Sequence, residues 1–106
     1  SYAWDTAIVY IQNFSGDTDY SKQNSLNKSR ANTGANSDEK CKINDMASNT
    51  MEWTTEYCTY TEGSNAYPCT NRGGYYYNSS CYTDYRSDYT ATYSYYYLSF
   101  RSALYM

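Results

Sequence analysis

The stretch NRGGYYYNSSCYTDYRSDYTATYSYYYLSF, Asn71 to Phe100, decides how this chain is read. It is built almost entirely from Tyr, Ser, Thr, Asn, Asp and Gly, with both of its glycines at the start. A core needs Leu, Ile and Val, and here only Leu98 is offered. Of the 17 tyrosines in the chain, eleven lie between Tyr75 and Tyr105. Tyr gives large amphipathic contact area with only two torsions to freeze, while Ser, Asn and Gly supply adaptable hydrogen bonds and turns, as in antibody loops. The composition points to a recognition surface and not to an active site, with 71–97 as the ligand-binding region.

Within that region, Tyr77, Asn78, Ser79, Ser80, Tyr82 and Asp84 are expected on a loop–strand segment after Gly73-Gly74. Asp88, Tyr89, Tyr93, Tyr95 and Tyr96 are expected on the next excursion. Together they would form one solvent-exposed face, with tyrosines as rigid anchors and Asp84 and Asp88 as polar specificity groups. The competing demand is the core, because aliphatic residues are scarce. The runs Tyr75-Tyr76-Tyr77 and Tyr95-Tyr96-Tyr97 serve both ends. Alternate residues of a strand point to opposite faces, so about half of the eleven tyrosines are expected outside.

Outward from this stretch, 106 residues make one domain with one modest core. The aliphatic residues are Ile8, Val9, Ile11, Leu26, Ile43, Leu98 and Leu104, so Trp4, Phe14, Trp53, Phe100 and part of the tyrosine set must complete the core. Trp4, Ile8 and Ile11, with Ala7 and Phe14 near the same stripe, predict an amphipathic helix from Ala3 to Phe14, stopped by Gly16. Ser15 to Glu39 reads as a long polar loop, with a weak strand or turn around Lys42 to Met46. Glu52 to Tyr60 suits a strand, and Gly63 to Pro68 is turn chemistry. The last segment alternates, Leu98, Phe100, Ser102 and Leu104 on one side and Ser99, Arg101, Ala103 and Tyr105 on the other. Arg72 and Arg101, in strands close to a core, must pair with carboxylates or carbonyls. Trp53 reads as core. The pattern is α+β, with a small antiparallel sheet.

Several function classes fall away. The net charge is −3 and all four lysines precede Ile43, so the tyrosines lack the basic field of a nucleic-acid binder. No run of about 18 apolar residues exists to insert into a membrane, and the opening residues do not read as a signal peptide. A start at Ser1 suggests a domain cut from a longer protein. Cys41, Cys58, Cys69 and Cys81 allow two disulfides by three connectivities, or stand as small free thiols. Zinc is disfavoured: no C-x-x-C pair exists and the chain has no histidine.

Three ordered pieces resemble a known family. Asn44-Asp45-Met46-Ala47-Ser48-Asn49-Thr50-Met51-Glu52-Trp53-Thr54 is similar to D-M-x-G-N-x-x-E-W. Asn71-Arg72-Gly73-Gly74-Tyr75-Tyr76 is similar to R-G-G-S-[WY], and Ser99-Phe100-Arg101-Ser102-Ala103 to G-F-R. These are motifs of formylglycine-generating-enzyme-like (sulfatase-modifying factor) domains. The resemblance covers Asn44 to Ala103 and implies a compact C-type-lectin-like fold with an early helix, a small antiparallel sheet and long loops. In some calcium-binding members, positions matching Asn49 and Glu52 contribute to a structural Ca²⁺ site, and hard oxygen ligands suit that ion. The alternative for this pair is a turn Asn and a Glu in a hydrogen bond or salt bridge, favoured by Ser48 where the family has glycine. No other cofactor is expected.

Two branches of the family give two functions. The enzymatic branch is a copper-dependent oxidase that converts a substrate cysteine to formylglycine with two cysteines. Aligned on Gly73-Gly74, their positions here are Asn78 and Thr83, and Cys81 falls between them. A Cu(I) site needs paired soft thiolates, so the departure removes the chemistry. The related iron-dependent sulfoxide synthases use histidines in an additional domain, and this chain has none. The binding branch comprises variable proteins of diversity-generating retroelements, whose adenine mutagenesis turns AAY codons into codons for Tyr, Ser, Asp, Thr, Ile and Gly. Residues 71–97 match several of those outcomes and lie where that branch keeps its variable region. This resemblance implies a non-catalytic domain, displayed on a phage particle or bacterial cell surface, that recognises a cell-surface or secreted protein or glycan. Display on a multimeric particle would add avidity. A third reading is a structural cap of a tail or surface protein.

Overall fold

Residues 2–24, 29–35, 37–57, 69–77, 80–90 and 92–102 are described by the computed structural model. Helix α1, Tyr2–Phe14, buries Trp4, Ile8 and Ile11. Those three residues are the period-3.6 stripe. The Ser15 amide still donates to the Ile11 carbonyl at 2.9 Å, and Gly16 then turns left-handed with φ 80°, a conformation that glycine adopts without a Cβ penalty.

The polar stretch that follows contains more structure than its composition suggests. A 3-10 turn at Tyr20–Lys22 places Tyr20 in full burial beside Trp4, Ile8, Ile11 and Met46. The Tyr20 hydroxyl donates to Asp38 Oδ1 at 3.1 Å, and the Ala47 amide donates to Asp38 Oδ2 at 3.0 Å. Burial pushes the Asp38 carboxyl above its usual range, against these bonds. Strands β1, Glu39–Lys40, and β2, Ile43–Asn44, form a hairpin. Its two central residues, Cys41 and Lys42, have φ of 51° and 65°, the signature of a type I′ turn.

The main sheet contains β3 (Met51–Tyr57), β4 (Cys69–Arg72), β5 (Arg86–Tyr89) and β6 (Leu98–Phe100) in the order β5-β4-β3-β6. β3–β4 and β4–β5 are antiparallel, but β3 pairs with β6 in parallel, Met51 opposite Leu98 and Trp53 opposite Phe100. The fold is therefore α+β with a mixed sheet, a correction to the wholly antiparallel expectation. Only Leu98–Phe100 of the expected final strand is assigned. Residues 103–106, Cys58 to Tyr60 and the turn from Gly63 to Pro68 lie outside the described residues.

Core membership also departs from expectation. Met51 is buried, but Trp53 is half-buried, and Phe14 and Phe100 are exposed. The core covers the Met51 end of β3 and thins along the strand, and β6 sits at the sheet margin. Phe14 is the last residue of α1, past the stripe, where it packs on Tyr10 with ring centroids 4.8 Å apart.

Candidate functional site

Gly73 and Gly74 launch the first tyrosine loop. A Cβ on Gly73, which has φ 94°, would lie 2.7 Å from the Met46 carbonyl oxygen; one on Gly74 would strike the Ala47 carbonyl and lie 2.7 Å from that of Cys81. Both neighbours are backbone, so only glycine fits this crossing. Before them, buried Arg72 ties the sheet to α1. Its Nη2 donates to Asp5 Oδ1 at 2.6 Å, and its Nε to the Tyr85 carbonyl at 3.3 Å. Trp4 Nε1 donates to the Thr83 carbonyl at 2.9 Å. Asn71, Arg72, Gly73, Gly74, Cys81 and Thr83 are all buried. They form a frame and offer no side chain to a partner.

Above this frame the tyrosine rings are in continuous contact. Tyr89 and Tyr93 stack with centroids 4.3 Å apart and planes within 4°. Tyr95 lies 6.0 Å from Tyr93, again nearly parallel. Tyr97 is the hinge of the array. Its ring stacks on Tyr75 at 4.8 Å, touches Tyr95 at 4.7 Å and meets Tyr96 edge-on at 5.5 Å. The Tyr97 and Tyr89 hydroxyls share a 3.0 Å hydrogen bond. Tyr76 adjoins Tyr96 at 6.4 Å, and Trp53 closes the far end, edge-on to Tyr89 at 6.3 Å. The backbone is pinned beneath: Met51 N donates to Tyr97 O at 2.9 Å, and Tyr76 N to Asn49 O at 3.1 Å. Aromatic pairs in such offset and edge-on geometries each contribute about 0.5–1.5 kcal/mol beyond area burial, so the ladder rigidifies loops that lack aliphatic support.

The ladder also sets the phenol chemistry. The Tyr96 hydroxyl is pushed up to about 12, first by its hydrogen bond with Tyr95, then by burial and the neighbouring phenols, Tyr77 among them. Burial, followed by hydrogen bonds with Tyr89 and Tyr93, raises Tyr97 further. At neutral pH these hydroxyls are un-ionised and serve as both donors and acceptors.

The expected binding residues divide into two places. Tyr89, Tyr93, Tyr95 and Tyr96 share the ladder, with Tyr95 and Tyr96 exposed and the other two half-buried. Tyr77, 75% exposed, projects beside them. Ser80 is exposed, and Asn78 and Ser79 lie outside the described residues. Tyr82 and Asp84 sit elsewhere, against the 3-10 turn. Thr83 N donates to Gln23 O at 3.1 Å, Asp84 N to Ser21 O at 3.0 Å, and Lys22 Nζ to Asp84 Oδ2 at 2.6 Å. Asp88 follows Arg86 on the face of β5 opposite Tyr89, by strand alternation. The single face expected for all eleven residues is thus corrected to a ladder plus a separate Tyr82–Asp84 edge. Five of the ten described tyrosines beyond residue 74 are exposed, Tyr77, Tyr82, Tyr85, Tyr95 and Tyr96, close to the half expected. Sequence reasoning missed Tyr75, Tyr76 and Tyr97 as ladder members. The signal was the paired triple-Tyr runs, which place rings on both sides of the chain.

The two residues placed at a calcium position both have protein partners. Asn49, at φ 67°, brackets Ala31, its Oδ1 accepting from the Ala31 amide at 3.1 Å and its Nδ2 donating to the carbonyl at 3.0 Å. Glu52 accepts from Arg101 Nε and Nη2, each at 2.7 Å. Burial outweighs that pairing and holds the Glu52 carboxyl above its usual range. These contacts fit the turn-and-salt-bridge alternative. Cys81 is buried and Cys41 half-buried, both as free thiols. Burial raises the Cys81 thiol, against a hydrogen bond from Tyr85. Among the described residues, no helix is long and apolar enough to cross a membrane.

No protein-family model, no curated protein and no solved structure matches this chain.

Proposed function

We propose that this chain is a non-catalytic recognition domain with a C-type-lectin-like fold, the variable protein of a diversity-generating retroelement, and that the tyrosine ladder is its ligand face. One observation carries the reading: a continuous set of tyrosine rings, with Tyr95, Tyr96 and Tyr77 open to solvent, stands on a frame of buried residues that make none of that surface. Rigid amphipathic rings with adaptable hydroxyls suit recognition of a protein or glycan on a cell surface. Clustered exposed aromatics of this kind are unusual on an inert surface. The same partition suits diversification, because exposed ladder positions tolerate exchange while Gly73 and Gly74 do not. Display of many copies on a phage particle or bacterial surface would multiply a modest single-site affinity. The copper-oxidase alternative gains no support from Cys81, a buried thiol held in its protonated form, or from buried Thr83 at the second cysteine's position.

The test is an alanine scan read as binding of the displaying particle to its host cells. Alanine at Tyr93, Tyr95 or Tyr96 should weaken binding at least about tenfold, as for hot-spot aromatics. Alanine at Tyr10 or Phe14, exposed on α1, should leave it unchanged. Binding that survives all three ladder substitutions would reject the reading.

A further inference from the structure

Where the ladder ends, a cleft of about 430 Å³ opens between the 29–35 segment and β6. Tyr96 forms one wall of it and Phe100, 78% exposed, another. Two guanidinium groups line it. Arg30 Nη1 donates to the Tyr96 carbonyl at 3.2 Å, which ties this segment to the ladder loop. Arg101 spends Nε and Nη2 on Glu52 and the Asn44 carbonyl. Among the described residues, Arg101 Nη1 and Arg30 Nε and Nη2 have no hydrogen-bond partner. Both arginines are exposed. The acids of the cleft are not: Glu52 is 7% exposed with both oxygens on Arg101, and Asp45 is 4% exposed, with Oδ2 accepting from the Gly34 amide at 2.8 Å. The hydroxyls of Thr50 and Ser99, 2.6 Å apart, bond each other on the same wall. An incoming group therefore meets unused N–H donors of exposed arginines in a cleft that two aromatic rings also line, while the acids of the lining are buried, Asp45 Oδ1 among them without a hydrogen-bond partner.

We propose that this cleft is a subsite for a carboxylate of the ligand, carried on a peptide segment of a protein partner beside an aromatic or apolar side chain. The inference rests on the ladder being the recognition face, which makes the cleft the margin of the same surface. Planar guanidinium donors match a carboxylate and strengthen when desolvated. Tyr96, Leu98 and Phe100 provide the apolar contact that an adjoining side chain needs. The chain's net charge of −3 opposes polyanions at long range and leaves a single carboxylate on an otherwise neutral ligand as the better fit.

The test is an amide NMR titration of the full chain with N-acetyl-phenylalanine, N-acetyl-phenylalanine amide and N-acetylneuraminic acid. The acid should shift Arg101 Nε–H and the Leu98–Ser102 amides saturably. The neutral amide should bind about tenfold more weakly or worse, the loss expected for charge-assisted hydrogen bonds. Arg30→Gln should weaken the acid about fivefold or more with an unchanged urea midpoint; it is preferred to an Arg101 variant because Arg101 also holds Glu52. Equal binding of acid and amide, no binding of either, or indifference to Arg30→Gln would overturn the inference. The ladder reading would stand in each case, since it is judged by the Tyr93, Tyr95 and Tyr96 variants. Preferential, saturable binding of N-acetylneuraminic acid at the same resonances would overturn the peptide assignment in favour of an acidic sugar.

Discussion

Removing the Tyr97 ring should loosen both tyrosine loops at once. The ring touches Tyr75, Tyr95 and Tyr96 at 4.8, 4.7 and 5.5 Å, and its hydroxyl bonds that of Tyr89. A fully buried tyrosine removes about 150–250 Å² from water. Half of that, at about 25 cal/mol per Å², gives about 2–3 kcal/mol. Ring–ring geometry adds to this, but the pairs share one ring and do not sum independently. Tyr97→Ala should therefore cost about 3 kcal/mol, a large share of the ~5–15 kcal/mol that holds a domain together. Tyr97→Phe keeps the ring and loses only the hydroxyl pair, at about 0.5–1.5 kcal/mol. The control is Tyr77→Ala, which removes a mostly exposed side chain and should stay within about 0.5 kcal/mol. Urea unfolding followed by tryptophan fluorescence and circular dichroism measures all three. The midpoint should be lowest for Tyr97→Ala, higher for Tyr97→Phe and highest for Tyr77→Ala, with a constant slope. If Tyr97→Ala behaved like Tyr77→Ala, the rings would not be packed together in solution, and the ladder would lose its rigidity argument.

Gly74→Ala should destabilise by about 2 kcal/mol or more, because the new methyl meets two backbone carbonyls that have no side-chain freedom to yield; thermal unfolding checks it, and a wild-type midpoint would contradict the crossing geometry. Tyr20, Tyr85, Tyr96 and Tyr97 all have hydroxyls raised above the ordinary phenol range. Their contribution to stability is fully present below pH ~10 and is lost as pH rises through the folded-state values; absorbance at 295 nm should show a late ionisation phase that moves earlier in urea. Asp38 and Glu52 are raised by burial, so their contribution is full below pH ~4 and falls as pH climbs through their folded values. Asp5 runs the other way: burial raises it, but its hydrogen bond and charge pairing with Arg72 outweigh that, so its contribution is lost on acidification. Carboxyl carbon NMR should place the Asp38 and Glu52 midpoints above that of Asp5.

Local physics made some elements legible. The Trp4–Ile8–Ile11 stripe gave α1 to within a residue at its start, and Thr, Trp and Tyr content gave β3. Buried Arg72 and exposed Arg101 both found the carboxylates and carbonyls expected of them. The parallel β3–β6 pairing was not legible, because pairing partners 47 residues apart leave no local periodicity. Tyr20 was hidden by its polar neighbours; its ring packs with Trp4, Ile8, Ile11 and Met46 while buried Asp38 accepts its hydroxyl. Tyrosine composition marked the segment that carries the ring array but could not assign Tyr97 its central place, since ring contacts depend on the path of two loops. The same limit applied to Tyr82 and Asp84, which are drawn away by Ser21, Lys22 and Gln23, about 60 residues earlier in the chain. Trp53 and Phe100 looked like core by residue type, yet the core thins along β3 past Met51 and β6 lies at the sheet margin, which leaves Trp53 half-buried and Phe100 largely in water.

Sequencing the genomic DNA that flanks this coding region would show whether the exposed ladder is, as proposed, a diversified ligand face on a fixed frame. A diversified face requires a reverse transcriptase gene nearby and a template repeat that differs from the coding repeat mainly at adenines, with mismatches at codons such as those of Tyr77, Tyr93, Tyr95 and Tyr96 and none at Gly73, Gly74 or Cys81. A neighbourhood without that repeat, or a repeat whose mismatches fall on the buried glycines as often as on the exposed rings, would contradict it.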